Sequence, residues 1–252
     1  MNETIQTILN HRSVRSLTNQ LLTDEQIRII VNSAQAAATS SFVQAYTIIG
    51  IKDQSKKEKL AVLSGNQSYV SENGHFFVFC LDLHRLTLAA EMEDVPSDET
   101  YRALTSTETF MVGVIDTSLA AQNAVIAAES MGLGICYIGG IRNQLDEVSQ
   151  LLQTPNHVIP LFGLSVGYPA DLPDQKPRLP YLNVYHEDEY NQDDQQLIDQ
   201  LQQYNNEISA YYADRTNGRR KDRWTEAMAK LLTHPKRLYM KDFLNKKGFP
   251  LE

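Results

Sequence analysis

The sequence predicts an α+β fold, and three observations predict it. Four short runs are dense in β-branched and aromatic residues: YTIIGIK at 46–52, FFVFCLDL at 76–83, GICYIGG at 134–140 and VIPLFGLSVGYP at 158–169. Each has the length and composition of a strand. Segments with helical spacing lie between and around them, the longest over 107–132. From about residue 170 the chain becomes proline-rich and then polar, and reads as helix alone. We therefore expect a core over 1–185 and a helical C-terminal excursion over 186–252. The excursion is too weakly apolar to fold by itself and is read as part of the same domain.

The elements follow in order. ETIQTILNH places Ile5, Ile8 and Leu9 at helical spacing. In TDEQIRIIVNSAQAAA, Thr23 can cap a second helix and Gln26, three residues later, can close a capping box. The first strand is followed by a short charged helix near 54–63, and the polar loop GNQSYVSENGH leads into the second strand. The 107–132 helix is apolar around much of its circumference, which suits a central core helix or a subunit interface. Asp116 and Glu129 on it are expected to be locally satisfied or exposed. The third strand ends in a glycine pair, RNQLDEVSQLLQ reads as a helix from Arg142, and the fourth strand is expected to break at Pro160. DLPDQKPRLP, with three prolines in ten residues, reads as a stiff extended segment. An amphipathic helix through DDQQLIDQLQQYNNEISAYYADR then ends in the cationic turn TNGRRKDRW, and more helix follows.

Bulk properties narrow the function. With 252 residues the chain can bury a substantial core. Its formal charge of −8 argues against a nucleic-acid partner, and any bound anion has to be held by local cations. Cys80 and Cys136 sit in apolar runs and read as buried small hydrophobes, not as a disulfide pair. MNETIQTILNH lacks the basic and apolar regions of a secretory leader. No uninterrupted apolar run approaches the roughly 18 residues of a membrane span. A cytoplasmic protein without membrane attachment is expected. GxSxG, HExxH, Walker and GxGxxG patterns are absent, and the six histidines lack metal-ligand spacing, so no metal is expected.

What remains is a series of polar clusters. HRSVR brings together His11, Arg12, Ser13 and Arg15, whose guanidinium forks and hydroxyl suit phosphate oxygens, though a charged surface turn has the same composition. TSSFVQ carries Ser40, Ser41 and Gln44 after the second helix. GNQSY carries Gln67 and Tyr69. YIGG, from Tyr137 and Ile138 to Gly139 and Gly140, ends a buried strand where backbone N–H groups can approach a ligand. QKPRLP carries Lys176 and Arg178, and RTNGRRKDRW offers either a solvated helix end or a second anion site.

In this order and spacing the clusters resemble the nitroreductase superfamily, in its NADPH-linked nitroreductase/flavin reductase branch. The resemblance runs from ILNHRSVRSL through TSSFVQAYTIIG, GNQSYV, ESMGLGICYIGGIRN and LFGLSVGYPA to KPRLP. It implies a mixed, mainly antiparallel sheet wrapped by helices, an intertwined homodimer, and a non-covalent FMN bound without a Rossmann fold. By position, it implies His11, Arg12, Ser13 and Arg178 at the flavin phosphate, and Arg15 and Lys176 at the pyrimidine edge. Ser40, Ser41 and Gln44 would come from the partner subunit, Gln67 would bond the ring with Tyr69 nearby, and Tyr137, Ile138, Gly139 and Gly140 would form a wall beside N5. Arg215, Arg219 and Arg220 are the expected contacts for NADPH.

The implied activity is ping-pong transfer of two electrons from NADPH to nitroaromatics, quinones, azo compounds or free flavin. No protein side chain is then catalytic, because the flavin carries the chemistry. Cations at the pyrimidine edge would stabilise the negative charge of reduced flavin. The alternative is a flavin-binding or flavin-delivering protein with little turnover of its own, which shares the FMN pocket and differs in nicotinamide access.

Overall fold

The computed structural model describes residues 1–250. Helix α1, Glu3–Leu9, is capped by the Asn2 side chain and buries none of its residues. Helix α2, Asp24–Gln35, starts on the expected capping box: the Gln26 amide donates to Thr23 Oγ1 at 3.1 Å and the Thr23 amide to Gln26 Oε1 at 3.0 Å. Strand β1, Tyr46–Ile51, leads to helix α3, Gln54–Leu63, and strand β2, His75–Asp82, follows. Two helices absent from the sequence expectation, α4 (His84–Met92) and α5 (Ser97–Leu104), fill the interval before α6, Thr107–Ser130. Between them they bury only Leu104, so their patterning carries little core signal.

Strand β3, Gly134–Ile138, runs into a 3₁₀ turn over Gly139–Asn143, and helix α7 begins at Leu145, three residues later than expected, and ends at Leu152. Strand β4, Val158–Gly167, completes the sheet. The order is β1-β2-β4-β3 and every strand pair is antiparallel. The only parallel element among the described residues is a bridge from Ser13 to Ile135.

Pro160 does not break β4. The β2–β4 register slips between the Phe79–Phe162 and Cys80–Pro160 pairs, leaving Leu161 as an extra, bulged residue. On the other side β3 reaches only to Gly163, so no neighbour there requires the N–H that proline lacks.

β2 is buried at every position, and its alternation divides the core. Phe77 and Phe79 pack with Ile30 of α2 and Ala120, Ala124 and Val125 of α6. Phe76, Val78 and Cys80 share the other cluster with Leu60, Val148, Phe243 and Phe249. A strand covered on both faces reads as a continuous apolar run, as FFVFCL does.

Helix α6 is long and apolar enough to cross a membrane by length and composition, with 44% of that apolar window buried in the fold. Its alanine-rich side packs on α2 and the sheet, while Met111, Ile115 and Leu119, at i, i+4 and i+8, are about half exposed. Asp116 on it is neither exposed nor satisfied locally. It is fully buried and accepts the backbone amides of Ser40 at 2.8 Å and Ala45 at 3.1 Å.

Contacts group the chain into two compact units, one formed by Met1–Pro173 and the segment from Arg237 onward, the other by Asp174–Lys236. In the first, helix α10 (Met240–Lys246) and the turn after it bring Phe243 and Phe249 into the sheet's core. In the second, helix α8 (Asp194–Arg215) pairs with α9 (Trp224–Thr233) through hydrogen bonds between Asn205 and Thr225.

Candidate functional site

Residues 11–15 lie beside β3 as a strand-like strap. The Val14 amide donates to the Ile135 carbonyl at 2.8 Å, and the Val14 side chain is buried against Gly134, where a Cβ would come within 2.8 Å of it. Alternation about this buried residue sends its neighbours in different directions. Arg12 borders a groove of about 480 Å³ with α1 and the end of α6, and its guanidinium donates to the carbonyls of Asn10 and Pro173. Arg15 lies toward Tyr69 and Cys136: burial holds the Tyr69 hydroxyl above the ordinary tyrosine value, and the charge and hydrogen bond of Arg15 pull it part of the way back. His11 donates from Nδ1 to Glu129 Oε1 at 2.7 Å, a partner 118 residues away.

The polar loop after α3 meets this strap. Tyr69 Oη donates to Gln67 Oε1, and the Gln67 amide donates to the Ser64 carbonyl. Gly140 closes against the same atoms: a Cβ there would lie 2.3 Å from Ser64 O and 2.5 Å from Gln67 Nε2. The second glycine of YIGG is therefore required by close packing of this loop. At Gly139 a Cβ would lie 3.4 Å from the Arg142 guanidinium, an ordinary contact. Arg142 is itself held by donating to the bulged Leu161 carbonyl. Ile138 is fully buried in the core, so only its backbone is available to a ligand. Tyr137 is 37% exposed and packs edge-on against Phe162 at 5.4 Å. Burial first, and then the Glu129 carboxylate, push its hydroxyl above the ordinary range.

Arg15, Gln67, Tyr69 and Gly140 thus gather on the Cys136 side of β3, whereas the Tyr137 side chain, against Phe162, lies on the strand's other face. Both cysteines are free and buried, and burial raises both thiols. Buried, protonated thiols of this kind are poor nucleophiles.

Ser40, Ser41 and Gln44 are not brought to this cluster within one chain. Their loop enters β1 at Tyr46, whose partner Leu81 pairs in turn with Ile159. The glycine turn leaves β3 at Ile138, whose partner is Gly163. The two lie on opposite edges of the sheet, about three strand spacings or ~14 Å apart, and at different heights along it. The loop is held rigidly. Ser41, Phe42 and Gln44 all have positive φ (48°, 60° and 55°), each costing about 1–3 kcal/mol unless the surroundings enforce it. The enforcement comes from behind: Asp116 holds the amides at both ends of the loop, and Arg85, paired with the largely buried Asp82 at 3.0 Å, donates to the Gln44 and Tyr46 carbonyls. Phe42 stands 80% exposed at the tip.

The other expected residues stand on the second unit. There Tyr204 and Tyr211 donate to the carbonyls of Pro177 and Asp174, laying the proline-rich segment along α8. Lys176 Nζ and the Arg220 guanidinium lie 5.3 and 4.5 Å from the centre of the Tyr212 ring. Arg178 is exposed and donates to the Lys176 carbonyl at 2.6 Å. Arg220 is also ion-paired with Asp222, while Arg215 and Arg219 donate to Tyr211 Oη at 3.2 Å and Thr216 O at 3.0 Å. Glu129, expected to be satisfied locally or exposed, is instead largely buried with its partner 118 residues away; the bracing roles of Asp116, Arg85 and Arg142 left no local signal because the segments they hold are distant in the chain.

A helix-wrapped antiparallel sheet, with a basic strap and a glycine turn beside an edge strand, defines a class of ligand-binding α+β protein with no Rossmann crossover. The chain belongs to the nitroreductase family: the family pattern matches residues 8–168, and the pattern of the family's C-terminal domain matches 176–252. It is 56% identical over 249 residues to the FMN reductase (NADPH) of Bacillus subtilis, covering 99% of each chain. It is 48% identical over 242 residues to a Cr(VI) reductase of a Pseudomonas species, covering 95% of this chain and 96% of that one. Among solved structures, NfrA1 of B. megaterium superposes with a TM-score of 0.96 at 60% identity, covering 99% of this chain and all of the other.

Proposed function

We propose that this protein is an FMN-dependent NADPH oxidoreductase acting as a homodimer, with each flavin site completed by the partner subunit. The observation that carries the reading is the pair of half-sites on opposite edges of one sheet: the Arg15–Tyr69–Gln67 cluster at β3, and the rigid Ser40–Gln44 loop at β1. They stand apart in one chain, and a twofold-related second copy offers a way to bring the loop of one subunit to the cluster of the other. The half-exposed Met111, Ile115 and Leu119 on α6, and Ile5 and Ile8 on α1, supply apolar surface for such an assembly.

The donor set fits FMN. Arg12, Ser13 and His11 offer a guanidinium, a hydroxyl and an imidazole to a phosphate. Arg15 sets a fixed cation, and Gln67 an amide, where a flavin's pyrimidine edge needs donors. Tyr137 and the backbone of Ile138–Gly140 flank the ring, and Ser40, Ser41 and Gln44 come from the partner subunit. FMN, when bound, supplies the two-electron chemistry that none of these side chains provides. The protein's part is to bind the ring, balance its charge and leave one face open to NADPH and then to an acceptor. Nitroaromatics, quinones, azo compounds and free flavin suit such a face, and the Cr(VI) reductase relative adds chromate to the acceptors worth testing. Arg215, Arg219 and Arg220 are assigned to NADPH. We place the protein in the cytoplasm.

The test is direct. The purified protein should be yellow, carry about one FMN per subunit, sediment as a dimer, and bleach when NADPH is added without oxygen. A colourless protein that takes up no added FMN overturns the reading. Bound FMN that NADPH does not bleach would favour a flavin-delivering protein. A stable FMN-loaded monomer would remove the shared site.

A further inference from the structure

Glu129 occupies a position that helix electrostatics disfavours. It lies in the last turn of α6, where the unpaired carbonyls already carry partial negative charge, and that turn contains no basic residue. Its side chain is only 12% exposed. A carboxylate in such a place is destabilising unless a specific partner offsets it. The partner is His11, whose Nδ1 lies 2.7 Å from Glu129 Oε1 across a separation of 118 residues. Arg12, next in the strap, borders the same groove as Glu129. Burial first, and then this carboxylate, raise the Tyr137 hydroxyl, so the charge is felt at the end of β3 as well as in the strap.

We infer that Glu129 is a positioning residue for flavin phosphate recognition, fixing the His11 ring through Nδ1 so that Nε2–H is presented to the phosphate. The inference rests on the assignment of His11 to the phosphate. A histidine that donates Nδ1–H to a carboxylate and Nε2–H to a phosphate oxygen carries both protons. The pair then presents a donor whose positive charge is balanced from behind. Without Glu129 the ring is free to rotate and to offer Nε2 as an acceptor, which repels a phosphate oxygen. The role is thus specific to the phosphate and does not extend to the isoalloxazine ring.

The experiment uses that specificity. Holoprotein is equilibrated with an equimolar excess of FMN and riboflavin, and the ratio retained after filtration is read by chromatography. His11→Ala and Glu129→Ala should each lower the FMN-to-riboflavin ratio about tenfold. Glu129→Gln, which keeps an acceptor but not the charge, should fall between them and wild type. The double variant His11→Ala, Glu129→Ala should be no worse than His11→Ala alone, because the two act as a unit. A purely structural role for Glu129 would lower both flavins together and leave the ratio unmoved, overturning the inference. A Glu129→Gln protein with the wild-type ratio and an Nδ1 of His11 that bears no proton in ¹⁵N NMR of the wild type would also overturn it, and this arm stands if Glu129→Ala does not fold. A wild-type ratio in His11→Ala would instead overturn the assignment of His11 itself.

Discussion

Two arginine-rich stretches, residues 11–15 and 215–223, look alike in the sequence and differ in the structure. The first is short and bound to the sheet through the Val14 amide and the Ser13–Ile135 bridge, with one apolar residue buried as its anchor. Among the described residues, neither Arg12 nor Arg15 is ion-paired with a carboxylate. The second holds five cations, but Arg220 is paired with Asp222, Arg223 lies 3.8 Å from Glu226, and all five are exposed. The number of cations in a stretch is therefore a poor guide to the charge available to a ligand. A fixed backbone, and guanidiniums that no carboxylate engages, decide more.

If the strap is the stronger anion site, Arg12→Ala should cost about 1.5–3 kcal/mol of FMN affinity, the value of one charge-assisted hydrogen bond, or roughly ten- to hundredfold. The increase in flavin fluorescence on dilution of the holoprotein measures it. Retention of FMN at wild-type affinity would show that the strap is a solvated turn with its charge facing the groove.

Much of this arrangement is legible in the sequence wherever local physics decides it. The α2 capping box is written in Thr23 and Gln26, and the both-faces burial of β2 in an unbroken apolar run. Pro160 misled because a bulge, invisible in one strand's sequence, relieves it. The weakly patterned α4 and α5 escaped because they bury almost nothing. In the site, residue types pointed to anion and ring binding, but braces that act across the chain left no local trace. Asp116 read as an incidental acid on a helix, yet it holds a loop with three left-handed residues more than 70 positions away. The sequence also grouped Arg12 with Arg15, whereas one buried residue and backbone alternation send them apart.

At the second stretch a smaller effect is expected. NADPH differs from NADH by a 2′-phosphate, and a protein of net charge −8 needs local cations to prefer it. Arg219→Ala combined with Arg220→Ala should raise the KM for NADPH about tenfold, with little change in the KM for NADH or in bound FMN. The effect should shrink as salt is raised, because contacts this exposed are screened. Because Arg220 is already engaged by Asp222 and Arg219 has no ion pair among the described residues, Arg219→Ala alone should account for more of the change than Arg220→Ala alone. Equal losses with NADH and NADPH would assign the cluster to folding or subunit contacts.

The smallest effect is the most discriminating. Arg220 donates through Nε and Nη2 to the same Asp222 oxygen, and its guanidinium lies over the Tyr212 ring. The ring can keep the side chain in place without the acid, since a guanidinium over an aromatic face is held by the ring's own electrostatics. Asp222→Asn should therefore leave Arg220 where it is while removing the charge that competes with a phosphate for it. If the acid masks the arginine, the KM for NADPH should fall about twofold at low salt, the scale set by the modest strength of exposed ion pairs. The gain should vanish at high ionic strength, and the KM for NADH should not move. A rise in the KM for NADPH would mean that Asp222 orders the turn and the pairing is part of the site. No change at any salt concentration would mean that Arg220 does not meet the 2′-phosphate, leaving Arg215 and Arg219 as the cations to test.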